Sequence, residues 1–366
     1  MFGPDEAAWR LEAGGRISAA EAVDLLAHAD LPGLGAAAAE VRRRMHPPER
    51  VTFVVDSNPN YTNVCDARCA FCAFHRPAGH PEAYSLPVEQ VMERVAAAAA
   101  AGATTVLLQG GLNPDLPLSY YVELVSETRR RFPGVTPHYF SAPEIVHIAR
   151  TAGVAVGAVI ERLREAGQAS LPGGGAEILD DAVRARIAPR KCGADEWLRV
   201  HREAHRAGMR STATMMYGHV ETDGQIAAHL ERLRALQDET GGFTAFIPWS
   251  FKPPGSALGD EVPAPAGPCR YLRIVAVSRL FLDNVPHAQA SWFGEGKAAG
   301  QVALHFGADD FGGTLMEENV HREARHEIRA SVGEVEDMIR RAGFVPARRT
   351  TLYEVVGGDV RREATA

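Results

Sequence analysis

Three cysteines in one short run carry the most distinctive chemistry in the sequence. Cys65, Cys69 and Cys72 lie in NPNYTNVCDARCAFCAFHR with the spacing C-x3-C-x2-C. A cluster of four irons and four sulfides takes four ligands, usually all of them cysteine. Three cysteines in one tight loop would hold such a cluster and leave one iron open to a ligand from outside the protein.

A zinc site and a disulfide framework are the alternative interpretations of this run. Structural zinc takes four ligands, normally from two separated pairs, whereas Cys192 and Cys269 are single and distant, and His75 is the nearest substitute. Five cysteines is an odd number, and 366 residues is far too long for a small disulfide-stapled domain. The spacing therefore favours an iron–sulfur cluster.

Eight apolar runs that alternate with helical patterns must position this loop. They are near-continuously apolar, as in parallel strands buried on both faces, and they span residues 51–57, 104–111, 135–141, 169–179, 211–218, 244–251, 287–292 and 308–315. The pattern predicts an α/β fold, either a complete (β/α)8 barrel or a partial barrel of the TIM type.

Helical patterns precede and follow the predicted barrel. Residues 1–48 are predicted to form an N-terminal helical extension in which LPGLG separates two helices, the second over Ala36–Met45. Residues 49–330 would form the barrel itself. Residues 331–366 would form a C-terminal extension that packs on the barrel with a helix and a strand, at 333–343 and 349–356.

Polar and aromatic residues follow several of these runs. Because a barrel enzyme places its chemistry at the C-terminal ends of its strands, the candidates are those near the run ends: Gln109, Gly110, Gly111, Ser141, Glu177, Tyr217, His219, Glu221, Trp249, Lys252, Gln289, Ser291 and Asp309. His219, Glu221 and Asp309 are candidate proton acceptors. Trp249 is a candidate wall for an aromatic or purine-like substrate. Turn glycines, rim aromatics, a structural histidine and buried ion pairs are the structural alternatives.

The composition argues against several function classes. A chain with 46% hydrophobic and 23% charged residues is typical of a soluble globular protein, and the net charge of -7 provides no basic surface for nucleic acid. No apolar stretch reaches the ~18 residues of a membrane helix, and the N-terminal sequence lacks a secretory signal. We therefore expect a cytoplasmic protein with no nucleic-acid partner and no membrane contact.

Together these motifs resemble the radical S-adenosylmethionine (SAM) superfamily over most of the chain. NYTNVC, CAFCAF, PGGGAEIL, TATMMYGHVET, LQDETGGFTAFIPW and ADDFGGTLMEENV are similar to the subgroup that contains two menaquinone enzymes of the futalosine pathway and the enzyme that builds a deazaflavin. The resemblance implies a 4Fe–4S cluster on the three cysteines, with SAM on the open iron. It further implies cofactor contacts from Phe71, Gln109, Gly110, Gly111, Ser141 and Glu177.

Within this subgroup the sequence most resembles the dehypoxanthine futalosine cyclases of menaquinone biosynthesis. Tyr61 before Thr62 and Asn63, AYSL at 83–86 and the IPWSF run carry this similarity, and Lys252 departs from it where the family has glutamine. The resemblance implies that a 5′-deoxyadenosyl radical removes hydrogen from C4′ of the ribose. The carbon radical then closes a ring on the benzoate, and an electron and a proton leave to give cyclic dehypoxanthine futalosine.

The implied reaction assigns further expected roles. Substrate contacts are expected from His75, Arg210, Tyr217, Trp249, Lys252, Gln289 and Ser291. The cation that binds the benzoate carboxylate would be one of three residues, His75, Arg210 or Lys252. A donor such as flavodoxin or ferredoxin would supply the electron.

Three other interpretations stay open from the sequence. An aminofutalosine synthase or a deazaflavin-building synthase of the same subgroup would use the same cluster on another substrate. A zinc-stabilised binding module would be colourless and would contain zinc. A barrel whose cysteines serve only electron transfer would not cleave SAM after reduction.

Overall fold

A layer of helices precedes the first strand. The computed structural model describes residues 2–357, and its first three helices are α1 (Pro4–Glu12), α2 (Ala19–His28) and α3 (Leu31–Met45). The LPGLG run forms the first turn of α3, because Asp30 caps that helix by accepting the backbone N–H of Gly33, and Pro32 is tolerated in a first turn. The predicted break, with a helix start at Ala36, is therefore wrong.

The strands form a curled parallel sheet. They are β1 (Arg50–Val54), β2 (Asp56–Ser57), β3 (Thr105–Leu108), β4 (Thr136–Tyr139), β5 (Ser170–Leu171), β6 (Arg210–Tyr217), β7 (Phe243–Ser250), β8 (His287–Ala288), β9 (Asp310–Gly313) and β10 (Val345–Arg349). β2 to β8 pair in chain order, and β9 pairs in parallel with β1. A bridge between Gln289 and Asp310 joins the end of β8 to β9. Each of the eight predicted runs contains a strand, and the predicted α/β barrel-type fold is confirmed.

Helices cover the outer face of this sheet. After α3 they are α4 (Val88–Ala100), α5 (Leu118–Arg131), α6 (Ala142–Ala152), α7 (Val156–Glu165), α8 (Asp181–Ile187), α9 (Ala194–Arg206), α10 (Asp223–Thr240), α11 (Ala257–Glu261), α12 (Pro268–Phe281), α13 (Trp292–Glu295), α14 (Lys297–Ala303), α15 (Val320–Glu323) and α16 (Val332–Arg341). Val91 and Val95 of α4, Leu124 of α5 and Leu108 of β3 are buried in the shared core. Burying a side chain of this size stabilises the fold by roughly 1.5–3 kcal/mol. The N-terminal helices α2 and α3 pack on α10 and α12.

The C-terminal strand lies earlier in the chain than the sequence predicts. β10 spans Val345–Arg349 and pairs in parallel with β1. The chain then turns back at Thr350, whose backbone N–H donates to the carbonyl of Glu354. The predicted strand at 349–356 is therefore wrong. Thr, Tyr and Val favour strands mainly through packing on a pleated surface. In this fold residues 345–349 already occupy the place beside β1, so the Thr-, Tyr- and Val-containing residues that follow have no strand to pair with there.

The two predicted extensions reach beyond the described part of the chain. Residue 1 and residues 358–366, at their outer ends, lie outside the described residues. Among the helices described, none is by itself long and apolar enough to span a membrane. Among these helices, only α6 and α7 are long and apolar enough when the two are counted together, and the chain bends by 107° between them.

Candidate active site

The cysteine loop borders a central cavity at the C-terminal ends of the strands. Cys65, Cys69 and Cys72 are free thiols, and all three line this cavity. Backbone hydrogen bonds fix the loop, because the N–H of Cys65 donates to the carbonyl of Arg76 (3.0 Å) and the N–H of Ala70 donates to the carbonyl of Ile187 (2.8 Å). Contacts within the protein therefore hold the loop in shape.

The arrangement of these sulfurs fits an iron–sulfur cluster better than a zinc ion. Sulfurs around a tetrahedral zinc are about 3.8 Å apart. Among residues 2–357, only His46, His287 and Asp309 bring three potential ligand atoms within 4.8 Å of one another, so the three cysteine sulfurs are spread too widely for one zinc ion. The other two cysteines, Cys192 and Cys269, do not line the cavity. A cluster bound here would keep one iron open.

A buried ion pair stands beside the cysteine loop. Lys191 pairs with Glu177, and its Nζ lies 5.2 Å from the ring centroid of Phe71. Burial raises the pKa of the Cys69 thiol, and the charge of Lys191 opposes that shift. Burial also disfavours ionised Glu177, yet Lys191 and Arg184 hold the pKa of this carboxyl below its usual value. Lys191 thus places a positive charge, paired with Glu177, next to the sulfurs.

Lys191 is not among the site residues predicted from the sequence, although the composition carries a signal for it. Of the 39 lysines and arginines in the chain only three are lysines. Two of these, Lys191 and Lys252, have side chains that are only 15% and 11% exposed. In a chain that otherwise uses arginine, a buried lysine marks a place that takes a compact ammonium group.

Close approach of the backbone requires glycine at two positions of the cavity wall. A Cβ on Gly111 would lie 2.0 Å from the carbonyl oxygen of Val64 in the cysteine loop. A Cβ on Gly173 would lie 2.5 Å from the carbonyl oxygen of Thr212 on β6. Any side chain there would force these segments apart. Both glycines therefore bring bare backbone to the cavity.

Glu144 ties three parts of the site together. Its carboxylate accepts hydrogen bonds from the Tyr61 hydroxyl (2.7 Å), from the N–H of Gly110 (3.0 Å) and from the N–H and the hydroxyl of Ser141 (2.7 and 2.6 Å). Burial raises the pKa of Glu144, while these donors oppose the shift. The sequence analysis missed Glu144. Its signal was the S-x-x-E spacing of SAPE, a capping box that opens α6.

An aromatic wall forms another side of the cavity. Trp249 at the end of β7, Phe293 of α13 and His321 of α15 all line it. The ring centroid of His321 lies 6.3 Å from that of Trp249 and 5.6 Å from that of Phe293. Burial lowers the pKa of His321 to about 3, so its ring is neutral near pH 7. The wall offers flat, uncharged surface to an aromatic ligand.

Charged residues line the cavity from inside the barrel. Asp56 of β2 and Arg349 of β10 both border it. Arg349 donates to the two carboxylate oxygens of Asp310, from Nε at 2.5 Å and from Nη2 at 2.9 Å. Burial raises the pKa of Asp56 to about 6. The sequence analysis included neither Asp56 nor Arg349, since it treated 51–57 only as a strand and placed the last strand too late.

The central cavity collects most of the predicted site residues. Twelve of them line it: Cys65, Cys69, Phe71, Cys72, His75, Gln109, Gly110, Gly111, Ser141, Glu177, Trp249 and Gln289. The other seven lie elsewhere in the described chain: Arg210, Tyr217, His219, Glu221, Lys252, Ser291 and Asp309.

His219 and Glu221 stabilise the turn that follows β6. Nδ1 of His219 accepts the N–H of Val220 (2.7 Å), and its Nε2–H donates to the carbonyl of Met216 (3.0 Å). Glu221 accepts the N–H of Gly218 (2.6 Å). Both side chains are committed to the turn, so we do not include these predicted bases in the proposed site.

Lys252, Tyr217 and Ser291 lie behind the cavity wall. Nζ of Lys252 is 3.7 Å from the carboxylate of Glu295. The hydroxyl of Ser291 donates to the carbonyl of Pro248 (2.6 Å), and Tyr217 is fully buried. These residues support the wall instead of facing the cavity. Lys252, which stands where the family has glutamine, therefore lies outside the cavity.

Arg210 and Asp309 lie at the opposite end of the barrel. Arg210 is the exposed first residue of β6 and donates to the carbonyl of Gly241 (2.7 Å). Asp309 immediately precedes β9, where it pairs with Arg279 and accepts a hydrogen bond from Nδ1 of His287 (2.5 Å). Residues at the start of a strand are a strand length away from its C-terminal end, so neither predicted contact reaches the cavity.

Comparisons with known proteins decide the family. A family model described as the radical SAM superfamily matches residues 60–233, and one described as the CofH/MqnC C-terminal region matches residues 240–359. The chain is 41% identical over 343 residues to the cyclic dehypoxanthine futalosine synthase of Halalkalibacterium halodurans, an alignment that spans 94% of this chain and 92% of that protein. The chain belongs to the radical SAM superfamily.

Further relatives carry two different names. The cyclic dehypoxanthine futalosine synthase of Streptomyces coelicolor is 42% identical over 348 residues, which is 94% of this chain and 87% of that protein. The 5-amino-6-(D-ribitylamino)uracil–L-tyrosine 4-hydroxyphenyl transferase of Methanopyrus kandleri is 44% identical over 314 residues, which is 84% of this chain and 85% of that protein. Membership makes this chain an enzyme and implies a 4Fe–4S cluster and SAM.

Solved structures agree on the fold. Methylornithine synthase (PylB) superposes with a TM-score of 0.73 at 20% identity and covers 93% of this chain and 97% of its own. HydG, a maturase of the FeFe-hydrogenase, superposes with a TM-score of 0.74 at 16% identity and covers 96% of this chain and 76% of its own. At such identities the likeness is one of fold alone.

Proposed function

We propose that this radical SAM enzyme cyclises dehypoxanthine futalosine to cyclic dehypoxanthine futalosine in menaquinone biosynthesis. The observation that carries the proposal is the identity of 41% and 42% to cyclic dehypoxanthine futalosine synthases from two bacteria, each over 94% of this chain. The aligned length includes both the cysteine loop and the aromatic wall, so cofactor and substrate regions are compared together.

The cofactors have a defined place in this proposal. The three cysteines of the loop would hold the cluster, and the backbone at Gly110 and Gly111 would face the SAM amino group. Lys191 would be the buried cation for the SAM carboxylate, and Glu177 would reach its ribose. When bound, the cluster and SAM would supply a 5′-deoxyadenosyl radical that removes the hydrogen from C4′ of the substrate ribose.

The protein's own part in the reaction is positioning. The wall of Trp249, Phe293 and His321 offers surface for the benzoate ring to stack on, and Gln289 adds an amide for its polar groups. Holding the ribose and the ring in one orientation supplies a large share of the rate of a ring closure. An enclosed cavity also keeps water and other hydrogen donors away from a carbon radical.

Each turnover also needs one electron from outside the protein. We propose a flavodoxin or a ferredoxin as the donor, and the cytoplasm as the compartment. The five cysteines are free, which agrees with a reducing environment.

Transfer of a 4-hydroxyphenyl group from tyrosine is the second candidate function. The relative from Methanopyrus kandleri favours it at 44% identity, but over 84% of this chain where the cyclases align over 94%. The two reactions take different substrates, so substrate choice separates them.

Anaerobic turnover with each substrate tests the proposal. The protein is reconstituted with iron and sulfide, reduced with dithionite and given SAM, with dehypoxanthine futalosine in one arm and 5-amino-6-(D-ribitylamino)uracil plus tyrosine in the other. We expect cyclic dehypoxanthine futalosine in the first arm and 5′-deoxyadenosine release at least about tenfold above the substrate-free rate. Product in the second arm alone would replace the cyclase proposal with the transferase.

A further inference from the structure

Four carboxylates line the central cavity: Asp56, Glu144, Glu177 and Glu318. Glu144 is held by its four hydrogen bonds and Glu177 by Lys191. Each oxygen of Glu318 accepts a backbone N–H, at 3.2 and 2.7 Å. Within residues 2–357, Asp56 and Glu177 each keep one carboxylate oxygen without a hydrogen bond, but Glu177 is paired with Lys191, which holds its pKa below the usual value.

Asp56 presents that oxygen to the cavity. Its neighbours in the strand direction, Val54 and Asn58, line the cavity as well. Its Oδ1 accepts the N–H of Leu315 (2.7 Å). The hydroxyl of Thr314 donates to the backbone carbonyl of Asp56 (3.0 Å) and lies close enough to the carboxyl to lower its pKa. No donor within residues 2–357 stands at hydrogen-bond distance from Oδ2. A Cβ on Gly313 would lie 2.2 Å from either oxygen, so the glycine of β9 makes room for the carboxylate.

The charges around Asp56 leave it as a proton acceptor. Burial raises its pKa to about 6, while the N–H of Leu315 and the charge of Arg349 limit that shift. Arg349 is itself engaged by both oxygens of Asp310, so it does not form an ion pair with Asp56. A carboxylate of this kind is largely ionised above pH 7, yet it binds a proton more tightly than an exposed aspartate does.

Two histidines of the cavity, His138 and His321, are weaker acceptors. Burial lowers the pKa of His138 and of His321 to about 3. His75 donates its Nδ1–H to the carbonyl of Cys72 (2.8 Å), and that contact holds its ring against the cysteine loop. Among the carboxylates and histidines described in the cavity, Asp56 combines an oxygen that accepts no hydrogen bond with a pKa that burial raises.

We propose that Oδ2 of Asp56 accepts the ring proton in the last step of the cyclisation, an assignment that rests on the proposed function. After the ribose carbon has added to the benzoate ring, the ring carbon that carries the new bond still carries its hydrogen. That C–H bond breaks, its electron pair enters the ring, and the proton goes to Oδ2. The ring then gives one electron to an oxidised iron–sulfur centre and becomes aromatic.

Asp56→Asn tests this step because it separates the removal of the C4′ hydrogen from the later loss of the ring proton. The variant is reconstituted and given SAM and dehypoxanthine futalosine deuterated at C4′. We expect deuterated 5′-deoxyadenosine within about threefold of the parent enzyme and cyclic product reduced at least about 100-fold. A ring-centred radical should build up in the EPR spectrum. Asp180→Asn, at the N-cap of α8 outside the cavity, is the matched control and should retain both products, since asparagine caps equally well.

The pH dependence of the parent enzyme gives a second, independent test. The ratio of cyclic product to 5′-deoxyadenosine should fall as pH drops through about 6, where Asp56 becomes protonated. The charged and titratable groups around it are Arg349, Asp310, His138 and Glu318. Burial raises the pKa of Glu318 too, so the same profile is measured in Glu318→Gln, where it should persist.

The outcomes separate this step from the proposed function. An unchanged product ratio in Asp56→Asn, or a ratio in the parent enzyme that is constant between about pH 5 and pH 8, would overturn the assignment of Asp56 alone. A parent enzyme that releases 5′-deoxyadenosine but forms no cyclic product would overturn the proposed function, and the assignment with it. If Asp56→Asn does not fold, the pH profile decides.

Discussion

Lys191 and Glu177 show how single residues set the charge of the site. Their side chains are 15% and 3% exposed, so each is costly to bury without the other. The pair lies against Phe71 and next to Cys69. A fixed positive charge here suits a site that must hold thiolates and the carboxylate of SAM.

Lys191→Met should lower the free energy of unfolding by about 3 kcal/mol, because it removes the ion-pair partner of the buried Glu177 carboxylate. Anaerobic guanidinium unfolding of the cluster-free protein measures it. Arg186→Met is the matched control, since Arg186 and its partner Glu261 are 56% and 58% exposed. Its effect should stay below about 1 kcal/mol. Equal losses in the two variants would contradict the structural role of the buried pair.

The contribution of this pair should also depend on pH. The folded-state pKa of Glu177 lies below its usual value, so the stabilisation is complete above the unfolded-state pKa of about 4.3 and is lost as pH falls through the folded-state pKa. The difference in stability between the parent protein and Lys191→Met should be full at neutral pH and shrink in acid. A difference that stays constant below about pH 3 would speak against it.

The sequence predicts some residues of the site and misses others for a physical reason. The cysteine ligands are readable because a cluster imposes their types and their local spacing. Asp56, Glu144 and Lys191 are harder to predict, because many of the residues around them become neighbours only when the chain folds. His219 and Asp309 are the opposite case. Their positions near strand ends predict proton acceptors, but the two residues stabilise a turn and an ion pair.

At the scale of elements, Glu144 joins α6 to the glycine segment after β3 and to the residues before the cysteine loop. It does so through Ser141, Gly110 and Tyr61. One carboxylate therefore holds in place the three segments that would surround SAM. A hydrogen bond to a charged group contributes roughly 1.5–3 kcal/mol, which is enough to hold loops in one arrangement.

Glu144→Gln should weaken SAM binding about tenfold, because an amide replaces one acceptor by a donor that faces other donors. Anaerobic equilibrium dialysis of the reconstituted protein measures the Kd, and its iron content checks that the cluster is intact. Glu161→Gln serves as the control, because Glu161 is 46% exposed on α7 and pairs with Arg164. An unchanged Kd in Glu144→Gln would show that this carboxylate does not position the SAM segments.

The elements themselves are well predicted where burial dictates the pattern. All eight apolar runs contain strands because a parallel sheet covered by helices needs apolar residues on both faces. The prediction fails at β10, which includes two arginines, Arg348 and Arg349. Its place is set by pairing with β1 and by the buried contact with Asp310, and neither is visible in a local pattern.

At the scale of the whole molecule, the C-terminal segment completes the barrel. β10 pairs with β1, which also pairs with β9, and Arg349 reaches across to Asp310 on β9. The same arginine lines the cavity. Strand β10 is therefore part of the site as well as of the fold.

Arg349→Met should destabilise the protein by about 3–5 kcal/mol, since it leaves Asp310 buried without its partner. Thermal unfolding followed by circular dichroism checks this, and the midpoint should fall well below that of the parent protein. Arg348→Met, on the adjacent and less buried position of β10, should change stability by less than about 1 kcal/mol. Similar midpoints for the two variants would exclude Arg349 as the link between β9 and β10.

We propose that the three cysteines hold a 4Fe–4S cluster whose fourth iron is left for SAM. Pulsed EPR of the reduced, reconstituted protein with SAM labelled at its amino nitrogen and carboxylate oxygens tests it most directly. We predict hyperfine coupling of both labels to the cluster spin, lost in Cys72→Ala and kept in Cys269→Ala. A reduced cluster whose spectrum SAM leaves unchanged, or a protein that takes up zinc instead of iron, would contradict the claim.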